Sequence, residues 1–110
     1  MTVLTPEIIT SILDQMETQY QVPYAYLEFD NAPGTDTFIA YYEDQPDQFG
    51  ADDTVWFSAK HFTIELYTPG YDPGMESNLT DLLDEAEIYW RRGPQAKIDS
   101  ENMIQTVFYL

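Results

Sequence analysis

Two helix-start signals divide this chain, and each combines a capping side chain with a proline at the first helical position. Thr5 stands before Pro6, and Asp72 stands before Pro73. A hydroxyl or carboxylate at the N-cap accepts a backbone hydrogen bond, and proline suits the next position because the N–H there has no intrahelical partner. The sequence therefore predicts one helix that begins near residue 6 and another that begins near residue 73.

Apolar residues recur at helical spacing after each signal. In the first helix they are Ile9, Ile12, Leu13, Met16 and Tyr20. In the second helix they are Met75, Leu79, Leu82, Leu83 and Ala86. The first helix is predicted to end at Val22–Pro23, because the residue before a proline disfavours helical angles. The second is predicted to end within Ile88–Pro94, where the cations Arg91 and Arg92 suit the negative end of a helix.

The segment between the helices has the composition and alternation of β-strands. Residues 24–30 and 35–43 predict two strands joined by a turn at Asn31–Gly34, and together they favour an antiparallel hairpin. Residues 54–68 predict either one long strand or two bent ones, with a bulge or bend near residues 58–60 where the apolar phase shifts.

The final segment, residues 103–110, is largely apolar on both faces. A strand of that kind is typically central in its sheet, or is buried on its second face by another subunit. We therefore predict one α+β domain over residues 1–110, in the order helix-strand-strand-strand-helix-strand. We expect an antiparallel or mixed sheet of about four strands, with the two helices on one face.

The charge of the chain excludes several functions. Twenty acidic residues against four basic residues give a net charge of −16, which repels nucleic acids and anionic membranes alike. Residues 1–59 hold eleven acids and no base, so all four bases lie in the second half: Lys60, Arg91, Arg92 and Lys97. This asymmetry is either chance in an acidic chain or a surface that meets an acidic face, such as one on another copy.

A polar loop is predicted over residues 44–53, and it combines acids with one aromatic residue. Its acids are Asp44, Asp47, Asp52 and Asp53. Carboxylates suit hard cations such as Ca²⁺, but their spacing departs from the calcium-loop pattern, and we predict no metal site. The aromatic residue, Phe49, either packs back against the domain or contacts a partner.

Few residues are candidates for catalysis. His61 is the only histidine and belongs to no nucleophile motif, and the chain contains no cysteine. The five glycines are typical of turns and helix ends rather than of a phosphate-binding loop. We therefore expect no catalytic residue, no cofactor and no enzyme activity. Some of the nine tyrosines either form a protein-contact surface or cover the edges of the sheet.

Several segments, in their order along the chain, resemble a known family. They are Pro23–Tyr26, Phe38–Tyr42, Phe49–Asp53, Ile64–Thr68, Asp72–Glu76 and Ile98–Glu101. This order resembles the small prophage-type tail terminator proteins (tail completion or head–tail joining proteins) of long-tailed phages of Gram-positive bacteria. The resemblance extends from Pro6 to Leu110 and includes no catalytic signature.

The resemblance implies a structural protein of the head–tail junction of the virion, made in the cytoplasm of the bacterial host. Proteins of that family form a ring, typically hexameric, that stops polymerisation of the tail tube and joins tail to head. The implied partners are further copies of the chain, the major tail tube protein and the head–tail connector or stopper protein. DNA would pass through the lumen without specific binding, and no membrane is involved.

A closed ring joins unlike surfaces of neighbouring copies, so we expect Arg91 and Arg92 to face acids of residues 1–59. Further candidate interface residues are Lys97, Phe49, Asp52 and Asp53. Two other functions stay open. One is a head-side connector or stopper protein, and the other is an acidic DNA-mimic inhibitor that occupies a DNA-binding enzyme.

Overall fold

The computed structural model describes residues 3–29, 33–44, 60–100 and 102–110. The elements of these residues are α1 (Pro6–Tyr20), β1 (Tyr24–Tyr26), β2 (Phe38–Glu43), β3 (Phe62–Thr68), α2 (Pro73–Glu85), β4 (Arg91–Ile98) and β5 (Met103–Tyr109). The strands form one mixed sheet in the order β1-β2-β3-β5-β4. The first pair is parallel and the others are antiparallel. The predicted α+β class is confirmed, with five strands rather than about four.

Both predicted helix starts are confirmed, and each uses the expected capping atom. The Thr5 hydroxyl accepts a hydrogen bond from the Ile8 N–H at 3.2 Å. A carboxylate oxygen of Asp72 accepts one from the Met75 N–H at 3.0 Å. In each helix the capping oxygen satisfies one of the backbone donors that the first turn leaves without a partner.

The two helices pack on the same face of the sheet and share one core. That core combines the apolar stripes of both helices with alternate residues of β2, β3 and β5. Its members include Ile9, Ile12, Leu13, Met16, Ile39, Ile64, Leu66, Leu79, Leu82, Leu83 and Phe108. Among the described residues, the opposite face of the sheet carries no helix, and we call it the helix-free face.

The final strand is central in the sheet, which is one of the two arrangements that its apolar pattern predicted. β5 pairs with β3 on one side and with β4 on the other. Phe108 is buried against the helices, and Val107, which points to the helix-free face, is buried as well. Burial on both faces explains why this segment is largely apolar.

The predicted antiparallel hairpin is wrong. β1 covers only Tyr24–Tyr26 and runs parallel to β2, with Tyr24 beside Ile39 and Tyr26 beside Tyr41. Leu27 has a φ of +70°, and this left-handed conformation ends the strand before a hairpin forms. The predicted strand over residues 54–68 corresponds to β3 from Phe62 onward, and residues 54–59 lie outside the described residues.

The predicted end of the second helix is also wrong. α2 ends at Glu85, and the Ile88 N–H donates to the Leu83 carbonyl at 2.9 Å while the Glu87 N–H donates to the Asp84 carbonyl at 3.0 Å. These two bonds form a Schellman motif, in which the residue after the cap is left-handed and usually glycine. Here that residue is Glu87, with a φ of +58°, so the sequence lacks the usual stop signal.

Candidate functional site: a basic edge of the sheet

β4, the strand that follows α2, carries most of the basic residues of the protein. β4 is the last strand in the sheet order, and in the described part of the chain it pairs only with β5. Three of the four basic residues lie on it: Arg91, Arg92 and Lys97. Most of its residues are exposed. We call Arg91–Ile98 the basic edge.

Arg91 presents its charge on the helix-free face. It lies opposite Tyr109 of β5, and its guanidinium carbon is 5.1 Å from the centre of that ring. A cation above an aromatic face is attracted by the ring quadrupole. The ion pairs among the described residues leave Arg91 out, so the ring orients this cation without neutralising it.

Arg92 points to the opposite face, where α2 lies. Its Nε is 3.1 Å from Oε1 of Glu76, and Nε2 of Gln95 donates to the second oxygen of the same carboxylate at 3.2 Å. The Arg92 side chain stays 44% exposed, whereas that of Glu76 is 14% exposed. Arg92 is therefore partly neutralised within its own chain and connects the basic edge to the first turn of α2.

Lys97 lies near the far end of the strand. Its Nζ is 3.8 Å from Oδ1 of Asp99, and both side chains are largely exposed. An exposed pair at this distance contributes little to stability, because water screens it and two mobile side chains must be held in place. Lys97 therefore remains available to a partner.

A bulge interrupts the basic edge between Arg92 and Gln95. Gly93 lies beneath the ring of Tyr109, and a Cβ at Gly93 would come within 2.5 Å of that ring. Pro94 has no N–H to donate. Bulges, prolines and cations protect a sheet edge from pairing with arbitrary strands, so this edge favours recognition through side chains.

Aromatic side chains also lie on the helix-free face, on β2 and β3. Phe38 stacks on Tyr67 with ring centres 4.7 Å apart. The Tyr67 hydroxyl donates to Glu65 at 2.9 Å and accepts from Gln105 at 2.9 Å. Burial raises the pKa of Tyr67 above its ordinary value, although the bond from Gln105 acts in the opposite direction. Tyr67 is therefore a hydrogen-bonded part of the sheet.

The remaining candidate residues from the sequence are Phe49, Asp52, Asp53 and His61. Phe49, Asp52 and Asp53 lie outside the described residues. His61 is exposed, and its Nδ1 lies 3.2 Å from the Leu110 carbonyl oxygen. Within the described ranges, no group of three or more His, Cys, Asp or Glu side chains is arranged to hold a metal ion.

None of the helices in the described ranges combines the length and the hydropathy that crossing a bilayer requires.

The basic edge was only partly predictable. The three basic residues are candidates from composition alone, but the sequence places Arg91 and Arg92 at a helix end, which is wrong. The segment Arg91–Ile98 contains glycine, proline, glutamine and three basic residues, and it lacks the alternation that indicates a strand. Pairing with the strongly apolar β5 makes it a strand.

Comparison with known proteins adds no family to this description. No protein-family model matches the chain, and no curated protein is significantly similar to it in sequence.

Proposed function

We propose that this protein is a structural subunit of phage tail assembly, a tail terminator that caps the head-proximal end of the tail tube and joins tail to head. The observation that carries the proposal is the basic edge. In a chain of net charge −16, three of the four basic residues lie together on one exposed edge strand. Such an edge suits contact with an acidic protein surface.

The order of the sequence segments along the chain and the fold support the same role. The resemblance drawn from the sequence implies a single sheet with two helices against it, and that architecture is present. A ring subunit needs two different contact surfaces, because each copy meets its neighbours through unlike sides. An acidic inner wall would also keep DNA moving through the ring, since like charges hold the duplex away from the wall. The proposed location is therefore the head–tail junction of the virion.

The experiment is deletion of the gene from its phage or prophage, followed by electron microscopy of the particles. We expect overlong tail tubes beside DNA-filled heads that lack tails, and restoration of normal tails by the gene supplied in trans. Tails of normal length that fail only to attach would replace this proposal with a head-side connector or stopper role.

Intact infectious particles would overturn the assembly role altogether. Competition with duplex DNA for a purified nuclease or repressor would then test the DNA-mimic function. In that assay, a tail terminator leaves the DNA-binding enzyme unaffected.

A further inference from the structure

We propose that the basic edge of one copy docks on the opposite, acidic edge of the sheet in the next copy, so that copies join head to tail. The inference rests on the self-assembly that the proposed function requires, and it names the surfaces involved. The acidic edge is defined by β1 together with Asp14, Glu17 and Glu28.

These three acids gather at the end of the sheet farthest from β4. β1 is the first strand in the sheet order and β4 is the last. The Tyr24 hydroxyl of β1 donates to the Asp14 carboxylate, which ties the exposed side of α1 to this edge. Glu17 lies on the same helix, and its charge acts on Tyr24. Glu28 lies two residues after the end of β1, and all three acids are exposed.

At each edge, the ion pairs among the described residues leave some charges unpaired. No Lys or Arg occurs anywhere in residues 1–59, so α1 and the residues around β1 supply no basic side chain to offset Asp14, Glu17 and Glu28. On the basic edge, the same ion pairs leave Arg91 out, neutralise Arg92 in part and give Lys97 one weak pair. Two basic edges repel each other, and so do two acidic edges, so opposite charge favours only the unlike pairing.

Exposed apolar side chains accompany the charges at both edges. Leu27 is 61% exposed and Tyr26 is 50% exposed at the acidic edge, and Tyr89 is 71% exposed just before the basic edge. Large apolar side chains of this kind are enriched at protein contacts. Bringing the two edges together would remove apolar surface from water as well as pair charges.

The geometry favours an open chain or a closed ring over a symmetric dimer. The complementary surfaces lie at opposite ends of one sheet, so a contact at one end leaves the other end free for the next copy. Side chains carry the contact, because β1 has only three residues and the bulge and Pro94 interrupt β4. A continuous sheet across the joint is therefore not expected.

Net repulsion between acidic copies opposes this contact at long range. At physiological ionic strength of about 0.15 M, the Debye length is about 8 Å. Distant like charges are then screened, whereas ion pairs in direct contact are screened much less. The association is therefore to be measured at this ionic strength.

The test is an exchange of charge between the edges, followed by sedimentation velocity over a concentration series. Arg91→Glu reverses a charge on the basic edge, and Glu17→Lys reverses one on the acidic edge. We expect the wild-type chain to form oligomers larger than dimers, and each variant alone to associate at least about tenfold more weakly. An equimolar mixture of the two variants should recover association, because each junction in the mixture can pair opposite charges.

Two control variants match these changes in net charge. Lys60→Glu removes the base that lies off β4, and Asp81→Lys reverses an exposed acid on α2. Circular dichroism establishes that all four variants are folded. If the controls weaken association as much as the edge variants do, or if the mixture does not recover, the named edges are wrong.

Cross-linking provides an independent measurement, because the chain contains no cysteine. Glu28→Cys places one thiol on the acidic edge and Lys97→Cys places one on the basic edge. Under oxidation, the double variant should give a ladder of products beyond the dimer, and each single variant should stay largely monomeric, because like edges do not meet. A double variant that stays monomeric or stops at the dimer would overturn the head-to-tail contact.

These outcomes are distinguishable from failure of the proposed function. Overlong tails after gene deletion, together with no recovery in the mixture, would retain the tail terminator and reject this interface. Intact particles after deletion, together with recovery and a cross-linked ladder, would retain the interface and reject the tail terminator.

Discussion

Arg92 and Glu76 join the edge strand of the sheet to the first turn of α2, with the Arg92 Nε 3.1 Å from the Glu76 Oε1. The contact spans 16 positions of sequence and connects two elements that lie on either side of the early helix end. Arg91, the preceding residue, projects its charge from the opposite face of β4. Arg92 therefore helps to hold the fold together, whereas the ion pairs among the described residues leave Arg91 out.

The first prediction concerns the Arg92–Glu76 pair. Glu76→Gln should lower the free energy of unfolding by less than about 1 kcal/mol, because Arg92 is close to half exposed and solvent screens the pair. A double-mutant cycle with Arg92→Gln, read by urea denaturation, measures the coupling. Asp81→Asn, an exposed change on the same helix, is the control. A coupling near zero would mean that the pair does not hold β4 against α2.

The second prediction concerns the bulge. Gly93→Ala should destabilise the fold by about 1–3 kcal/mol, because the new methyl group overlaps the Tyr109 ring and forces it to move. The displaced ring should also loosen Arg91. Gly70→Ala is the matched control, since a Cβ there meets no atom within 4 Å. Equal urea midpoints for the two variants would contradict the packing of Tyr109 over Gly93.

The third prediction concerns stability at alkaline pH. Burial raises the pKa of Tyr24 far above its ordinary 10.0, and the hydrogen bond to Asp14 and the charge of Asp14 add to this. Burial also raises the pKa of Tyr41, Tyr42 and Tyr67. The unfolded chain then releases these protons at a lower pH than the folded one. Their contribution to stability is therefore complete below about pH 10 and is lost as pH rises above it.

Substitution of Tyr24 tests this dependence. Tyr24→Phe should make the fall in unfolding free energy above about pH 10 shallower than in the wild type. At neutral pH it should cost about 1 kcal/mol, because the hydrogen bond to Asp14 is lost. Tyr89→Phe, at a largely exposed position, is the control. Identical pH profiles for Tyr24→Phe and the wild type would show that folding does not raise the pKa of the Tyr24 hydroxyl.

The fourth prediction concerns the end of α1. Gln21 has a φ of +60°, a conformation that costs a residue with a side chain about 1 kcal/mol. Gln21→Gly should therefore raise the free energy of unfolding by up to that amount. Gln19→Gly, within the helix, should lower it by about 1 kcal/mol. Thermal denaturation should show that Gln21→Gly is more stable than the wild type and Gln19→Gly less stable. A loss of stability in both variants would contradict the left-handed conformation of Gln21 at the end of α1.

Local signals predicted both helix starts and their apolar stripes. Capping oxygens and prolines act over three or four residues, so the helix starts at Thr5–Pro6 and Asp72–Pro73 can be predicted from the local sequence alone. The helix ends were harder, because Gln21 and Glu87 adopt left-handed angles that usually indicate glycine. The interface residues Phe49, Asp52 and Asp53 stay predictions.

By itself, the sequence determined the α+β class, the two helices, the central final strand and the concentration of bases in the second half. Each of these follows from local chemistry, from hydrophobic period or from composition. Only the tertiary structure decided that β1 runs parallel to β2 and that Arg91–Ile98 is a strand at the sheet edge. Strand pairing joins residues that are far apart in sequence. β4 is a strand because it pairs with β5, since its own residues lack a strand pattern. That pairing places three bases on one basic edge, at the opposite end of the sheet from the acids of α1 and the acid that follows β1.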